Sequence, residues 1–338
     1  MTMANRTIGQ TVCAALALLA AASTAARAAD DTGALASPKF HHLHLNSVNP
    51  DAAISFYTRE FPSTSKSEWS GLAALKSPND VMILFNKVAE PPRVEPEATA
   101  FWHFGWHVTD ERKSYALYSS QPEVKLLPLY TSDEGGSVFI SSDTWPGTGG
   151  ILGLTKAQIA DAKAKGVKPQ GGAGFAYMQG PDGALIEYQG NFPAERFNHV
   201  HMYQEQPLCA QIWYAKHLNA KLSEGTVLKS EADCAVPRGE FSWPSLLRQG
   251  TIRTPRADVL FGDVSLTWYM RQTGKPLAAT RGRLMDHVGL SVTDLDAWVA
   301  KLKREGVSFL EQLHRLGDTR AAMIEGPSHE AIELVEMK

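Results

Sequence analysis

Phe40-His41-His42-Leu43-His44-Leu45, Phe101-Trp102-His103-Phe104-Gly105-Trp106, Phe197-Asn198-His199-Val200-His201-Met202 and Met285-Asp286-His287-Val288-Gly289-Leu290 are four versions of one phrase. Each has apolar residues around a histidine at a corresponding place, which is the pattern of a strand with one buried face. Each runs through a turn rich in Asn, Asp or Pro into residues at helical spacing, as over Pro50 to Phe61. In Thr293 to Gly306 the apolar positions are Leu295, Trp298, Val299 and Leu302. β-rich stretches follow the helices: Leu72 to Leu75 and Val81 to Asn86 in the first repeat, Leu246 to Thr254 and Val259 to Tyr269 in the third. The unit is βαβββ, used four times.

The second and fourth units close alike, with Gly180-Pro181-Asp182-Gly183-Ala184-Leu185-Ile186-Glu187-Tyr188 and Gly326-Pro327-Ser328-His329-Glu330-Ala331-Ile332-Glu333-Leu334. A Gly-Pro turn feeds a strand in both, and a glutamate stands at one offset. Units one and three lack that glutamate, so a two-unit domain looks duplicated. This predicts an α+β protein of two tandem paired-βαβββ domains: 39–192 (units 39–92 and 99–191) and 196–338 (units 196–275 and 283–338). A Gly-rich insertion from Gly147 and a helix around Thr155 to Lys165 interrupt the second unit.

Upstream, Arg6 precedes an apolar run from Thr11 to Ala26 that ends in Ala26-Arg27-Ala28 before Asp30-Asp31. That grammar reads as a cleavable signal peptide over 1–28 with a linker at 29–38, hence an exported protein, periplasmic or secreted. The formal charge of −3 becomes more negative once Arg6 and Arg27 leave. With no basic cluster, the balance argues against nucleic acid or an anionic membrane as partner of the mature chain; a small molecule is the expected partner, and a homodimer is compatible. Cys13 would leave with the signal. Cys209 and Cys234 remain, either as a disulfide or as two free thiols.

Together the four-fold βαβββ pattern, the strand histidines and the Gly-Pro…Glu closings resemble the vicinal oxygen chelate superfamily of glyoxalases, resistance proteins, epimerases and extradiol dioxygenases. The resemblance covers nearly all of the mature chain and implies cups of antiparallel strands, each around a divalent metal. It implies His42, His103 and Glu187 as ligands in the first domain and His199, His287 and Glu333 in the second. Two imidazoles and a carboxylate suit Fe(II) or Mn(II), with Zn(II) or Ni(II) as alternatives, and leave positions open for substrate. Period-two geometry puts His44 beside His42, His201 beside His199 and His107 beside His103, so His44 and His201 are candidate acid–base groups. Trp102 and Trp106 fall on the face opposite His103 and are assigned to the core. His41, His217 and His329 break the pattern and read as surface or structural.

A fourth carboxylate ligand is missing from Val81 to Asn86 and from Val264 to Tyr269, which resembles the dioxygenase branch more than glyoxalase. That branch carries a histidine and a tyrosine upstream of the closing glutamate. Here Tyr177 stands at the tyrosine place in the first domain and His314 near the histidine place in the second, where Met323 replaces the tyrosine. The expectation is a metal-dependent, dioxygenase-like enzyme on a small aromatic or enediol compound. The alternatives are an isomerase or lyase of glyoxalase or epimerase type, and a non-catalytic small-molecule binding protein.

Overall fold

Asn49, Asp110 and Asp294 each follow a strand and cap a helix, their side chains accepting hydrogen bonds from the backbone N–H of Ala52, Lys113 and Ala297 at 3.1, 3.0 and 2.9 Å. Such caps satisfy donors that a first helical turn leaves open, typically for about 1 kcal/mol. The computed structural model describes residues 35–337 apart from 96, 131–136, 142–156, 158–159, 162–163, 167–173, 191, 243–244 and 248–250. The proposed signal peptide, most of the linker, the Gly-rich insertion and much of its helix lie outside the described residues.

The first unit is β1 (Lys39–Ser47), α1 (Pro50–Glu60), β2 (Ser65–Trp69), β3 (Leu72–Lys76) and β4 (Met82–Lys87). The second is β5 (Phe101–His107), α2 (Glu111–Ser119), β6 (Lys125–Leu127), the small hairpin β7 (Leu129–Tyr130) and β8 (Ser137–Val138), β9 (Phe175–Gln179) and β10 (Leu185–Gln189). The third is β11 (Arg196–Gln204), α3 (Pro207–Leu218), β12 (Gly239–Ser242), β13 (Thr251–Thr254), β14 (Arg256–Phe261) and β15 (Val264–Met270). The fourth is β16 (Met285–Val292), α4 (Leu295–Arg304), β17 (Phe309–Leu316), β18 (Thr319–Glu325) and β19 (Ala331–Glu336). The chain is thus α+β, built from four βαβββ units. The β-rich stretch Val259 to Tyr269 lies in the hairpin of β14 and β15, turned at Gly262, whose φ of +68° suits glycine.

The partners differ from expectation. One sheet runs β17-β18-β19-β16-β1-β4-β3-β2, and the other β14-β15-β11-β5-β10-β9-β6. Unit one therefore pairs with unit four, through antiparallel β1 and β16, and unit two with unit three, through β5 and β11. Pairing within each half of the sequence, and the ligand sets drawn from it, are corrected by this topology. The reason lies in the connections. Only residues 190–195 separate β10 from β11, whereas 88–100 separate β4 from β5 and 271–284 separate β15 from β16. The short link holds units two and three in one sheet, and the longer ones let units one and four meet.

Both sheets share a core. Phe40 of β1 stacks on Phe197 of β11 with ring centres 5.7 Å apart, and Phe61, just after α1, lies 4.2 Å from Trp106 of β5. Leu295, Trp298 and Leu302 of α4 are buried, each such side chain contributing about 1.5–3 kcal/mol. Cys209, in the first turn of α3, is disulfide-bonded to Cys234. Among the described residues no helix is long and apolar enough to cross a membrane.

Candidate metal centres

Antiparallel β1 and β16 place His42 opposite Gly289 and His44 opposite His287, and β19 runs parallel to β16 with Glu333 beside Gly289. Strand alternation brings all four side chains to one face. His42 Nε2 lies 3.3 Å from His287 Nε2 and 3.5 Å from a Glu333 oxygen, which is 3.8 Å from His287 Nε2. The His44 ring centre is 4.4 Å from that of His287. A Cβ at position 289 would come within 2.0 Å of the His42 ring, so glycine is what lets that ring lie across β16.

β11, β5 and β10 repeat the arrangement with His199 opposite Gly105, His201 opposite His103, and Glu187 beside Gly105. His103 Nε2 is 2.7 Å from Glu187 Oε2, and both His199 Nε2 and His201 Nδ1 are 3.6 Å from that oxygen. Tyr177 donates to the same oxygen at 2.8 Å, and the Gln189 amide donates to the other at 2.6 Å. A Cβ at position 105 would fall 2.4 Å from the His199 ring. The six residues expected as ligands form two clusters, but His103 and Glu187 join His199, and His42 joins His287 and Glu333.

Burial sets the charge states. It pushes His103 down to about 4 and His44 to about 3, and holds His42 and His201 well below the usual histidine range. Burial alone would raise the Glu187 carboxyl, but His199, His103 and His201 together bring it well below the carboxylate range. His287 is the exception. Burial opposes its charge, yet hydrogen bonds to Asp286 and Glu333 raise it above the ordinary value. Neutral imidazoles facing a carboxylate are a donor set for a borderline divalent cation. His199 Nε2 is buried and has no hydrogen-bond partner among the described residues, although it faces Glu187 and His103. An unpaired buried nitrogen is costly, and coordination would satisfy it. The residues fit a divalent metal.

The surroundings differ. A cavity of about 180 Å³ opens on the first centre, lined by His44, His287, Glu333, Trp69, Leu72, Leu84, Leu316 and Met323, with Arg281, Glu311 and His314. His314 is 3.8 Å from Glu311 and its Nδ1 lies 2.9 Å from the Gln312 carbonyl, so it lines the cavity without a hydrogen bond to the histidine cluster among the described residues. At the second centre Trp102 stacks on Tyr203 at 5.0 Å and lies 6.4 Å from His201, not on the helix-facing side where strict alternation puts it. A bulge between His201 and Met202 shifts the register there. Tyr269 joins this aromatic wall while Trp268 turns to Tyr214 of α3. His107 stacks on Phe192 rather than entering the cluster. His217 pairs with Glu305 and His329 with Glu325.

Three kinds of functional residue were not anticipated. His41, expected at the surface or in a structural role, is buried with Nδ1 2.9 Å from His42 Nδ1. Asp286 holds His287, and Gly105 and Gly289 make room for rings. The signal for the glycines is visible in the quoted strands: units one and three carry His-x-His, units two and four His-x-Gly.

Residues 196–334 match the family model of the Glyoxalase/Bleomycin resistance protein/Dioxygenase superfamily. Over that stretch the chain is similar to members of that superfamily. Glyoxalase I from Zea mays has a similar structure, with 16% identity, a TM-score of 0.56, and 89% of this chain and 92% of that one covered. A candidate dioxygenase from Bacillus subtilis subsp. subtilis str. 168 is similar at 10% identity and a TM-score of 0.51, over 90% and 86%. At these identities the likenesses show a shared fold, and it spans both halves of the chain. No curated protein matches the sequence.

Proposed function

We propose that the chain is a metal-dependent enzyme whose working centre is His42, His287 and Glu333, acting on a small molecule that offers two adjacent oxygens. The observation that carries this is the cavity, which reaches His287 and Glu333 directly. A metal held there by the three side chains would supply Lewis acidity and a template for chelated oxygens. His44, on the cavity wall beside His287, is placed to accept or return a proton at the substrate. Trp69, Leu72, Leu84, Leu316 and Met323 exclude water and suit a flat, apolar body, while Arg281 and His314 offer polar contacts at its rim.

Three ligands, with Trp69, Leu72 and Leu84 on one part of a mixed polar and apolar cavity, favour dioxygenase-like chemistry with Fe(II) or Mn(II) on a small aromatic or enediol compound. The second centre supports a second reading. His103, Glu187, His199 and His201 all lie in mutual reach of one ion, as His42, His44 and His287 do at the first centre; with its carboxylate inside the group, the second is a four-donor set of the kind that isomerase or lyase chemistry uses with Zn(II) or Ni(II). Export of the mature chain after Ala28 belongs to the same proposal, and N-terminal sequencing of protein recovered outside the cytoplasm checks it.

Elemental analysis of anaerobically purified protein, with oxygen-uptake assays on catechols and other enediols, tests the reading. Iron or manganese with oxygen uptake, lost together in Glu333→Ala, is expected. Zinc or nickel without oxygen uptake would move the function to the isomerase class. Protein that takes up no metal on reconstitution would leave a non-catalytic binding protein.

A further inference from the structure

The two centres differ one atom behind the ligands. At the first, His42 and His287 each have a partner on the far nitrogen, supplied by the preceding residue. His287 Nδ1 is 2.7 Å from Asp286 Oδ1, and His42 Nδ1 is 2.9 Å from His41 Nδ1. Asp286 is itself fixed, accepting from Arg281 at 2.6 Å, from the Gly282 backbone N–H at 2.6 Å and from Asn46 at 3.4 Å. The Arg281 guanidinium also lies 3.3 Å from His287 Nδ1. A guanidinium can only donate, so the carboxylate is what takes the ring proton. At the second centre the preceding residues are Trp102 and Asn198. The Nδ1 atoms of His103 and His199 are buried without a hydrogen-bond partner among the described residues, and so is Asn198 Oδ1.

A hydrogen bond on one ring nitrogen fixes the tautomer and the ring plane, and leaves the other nitrogen directed at the ion with raised basicity. We infer that Asp286 and His41 are positioning residues that make the His42–His287–Glu333 centre the tight metal site of the chain, and that the His103–Glu187–His199 centre, lacking their counterparts, binds the same ion more weakly. The inference rests on the reading of both clusters as metal centres. It assigns the two centres unequal tasks: one holds metal at low free concentration, the other fills only when the ion is abundant.

Calorimetric titration of metal-free full-length protein with Mn(II) tests it, because single-centre backgrounds separate the sites. Glu187→Ala protein should bind one ion, at least tenfold more tightly than Glu333→Ala protein. Adding Asp286→Asn to the Glu187→Ala background should weaken that binding by about 10- to 100-fold, and Asp286→Glu should recover most of it. Asp286→Asn in the Glu333→Ala background should change nothing. Thermal unfolding of the metal-free variants shows whether Asp286→Asn acts only through stability: an unchanged midpoint with lost affinity is expected. Equal affinities in the two single-centre backgrounds, or Asp286→Asn leaving the tight class intact, would overturn the inference while metal binding itself stood. No binding in either background would overturn the metal-centre reading beneath it as well.

Discussion

At the scale of single residues, two glycines do as much for the centres as the ligands do. Gly289 faces the His42 ring across β1 and β16, and a methyl there would meet it at 2.0 Å. Gly289→Ala should therefore displace His42, abolish metal uptake at that centre, leave the Glu187 centre able to fill at saturating metal, and cost about 1–3 kcal/mol of stability as an overpacked site. Elemental analysis beside a urea titration reads both effects; a Gly289→Ala protein with its full metal complement would defeat the argument. Histidine burial makes a second prediction. His41 and His103 titrate near 4 and His44 near 3 in the fold, and His42 and His201 are also lowered, against about 6.5 unfolded. Below pH 6.5 the unfolded chain binds more protons than the folded one, so stability falls with pH from there down to about 4. His287 is raised and acts in the opposite sense, as does the buried Glu330 carboxyl, against those five lowered histidines. Metal-free protein should lose thermal stability steadily between pH 6.5 and 4, with no comparable loss between 7 and 8.

At the scale of elements, the strands that carry histidines were legible because each alternates one buried face with a fixed chemical mark. The strands that escaped notice are different in kind. β2 reads Ser65-Lys66-Ser67-Glu68-Trp69 and forms a sheet edge, where polar residues face water and also discourage pairing with other chains. Among the described residues β12 pairs only with β13, outside both large sheets, and its four residues Gly239-Glu240-Phe241-Ser242 are too few to show alternation. Trp102 was misplaced because a bulge breaks the alternation from which its face was read. The disulfide was left open since sequence holds no distance, and it ties the loop after α3 back to the first turn of that helix. A bridge across 25 positions removes enough freedom from the unfolded chain to stabilise by about 3 kcal/mol. Cys209→Ser/Cys234→Ser protein should melt several degrees lower by calorimetry with metal content unchanged, because neither cysteine belongs to a cluster; loss of metal would show that α3 depends on the bridge to support β11.

At the scale of the whole molecule, the sequence carries two ligand sets that local pattern cannot assign to partners. His-x-His strands in units one and three can each lie against a His-x-Gly strand in unit two or four, and every side chain keeps its face under either arrangement. What separates the arrangements is the length of the links, and the short run 190–195 places β11 in the same sheet as β10. Each centre then draws ligands from both halves of the chain, so neither half holds a complete set as folded. This pairing has a stoichiometric consequence. His199→Ala and Glu187→Ala should each remove one and the same equivalent of metal, and the double variant should lose no more than either, since both side chains reach one ion. His199→Ala combined with Glu333→Ala should instead strip both centres. If that second pair retained one equivalent while the first pair lost two, the units would be pairing within each half of the sequence, and the exchange of strands seen between β1 and β16 would be refuted.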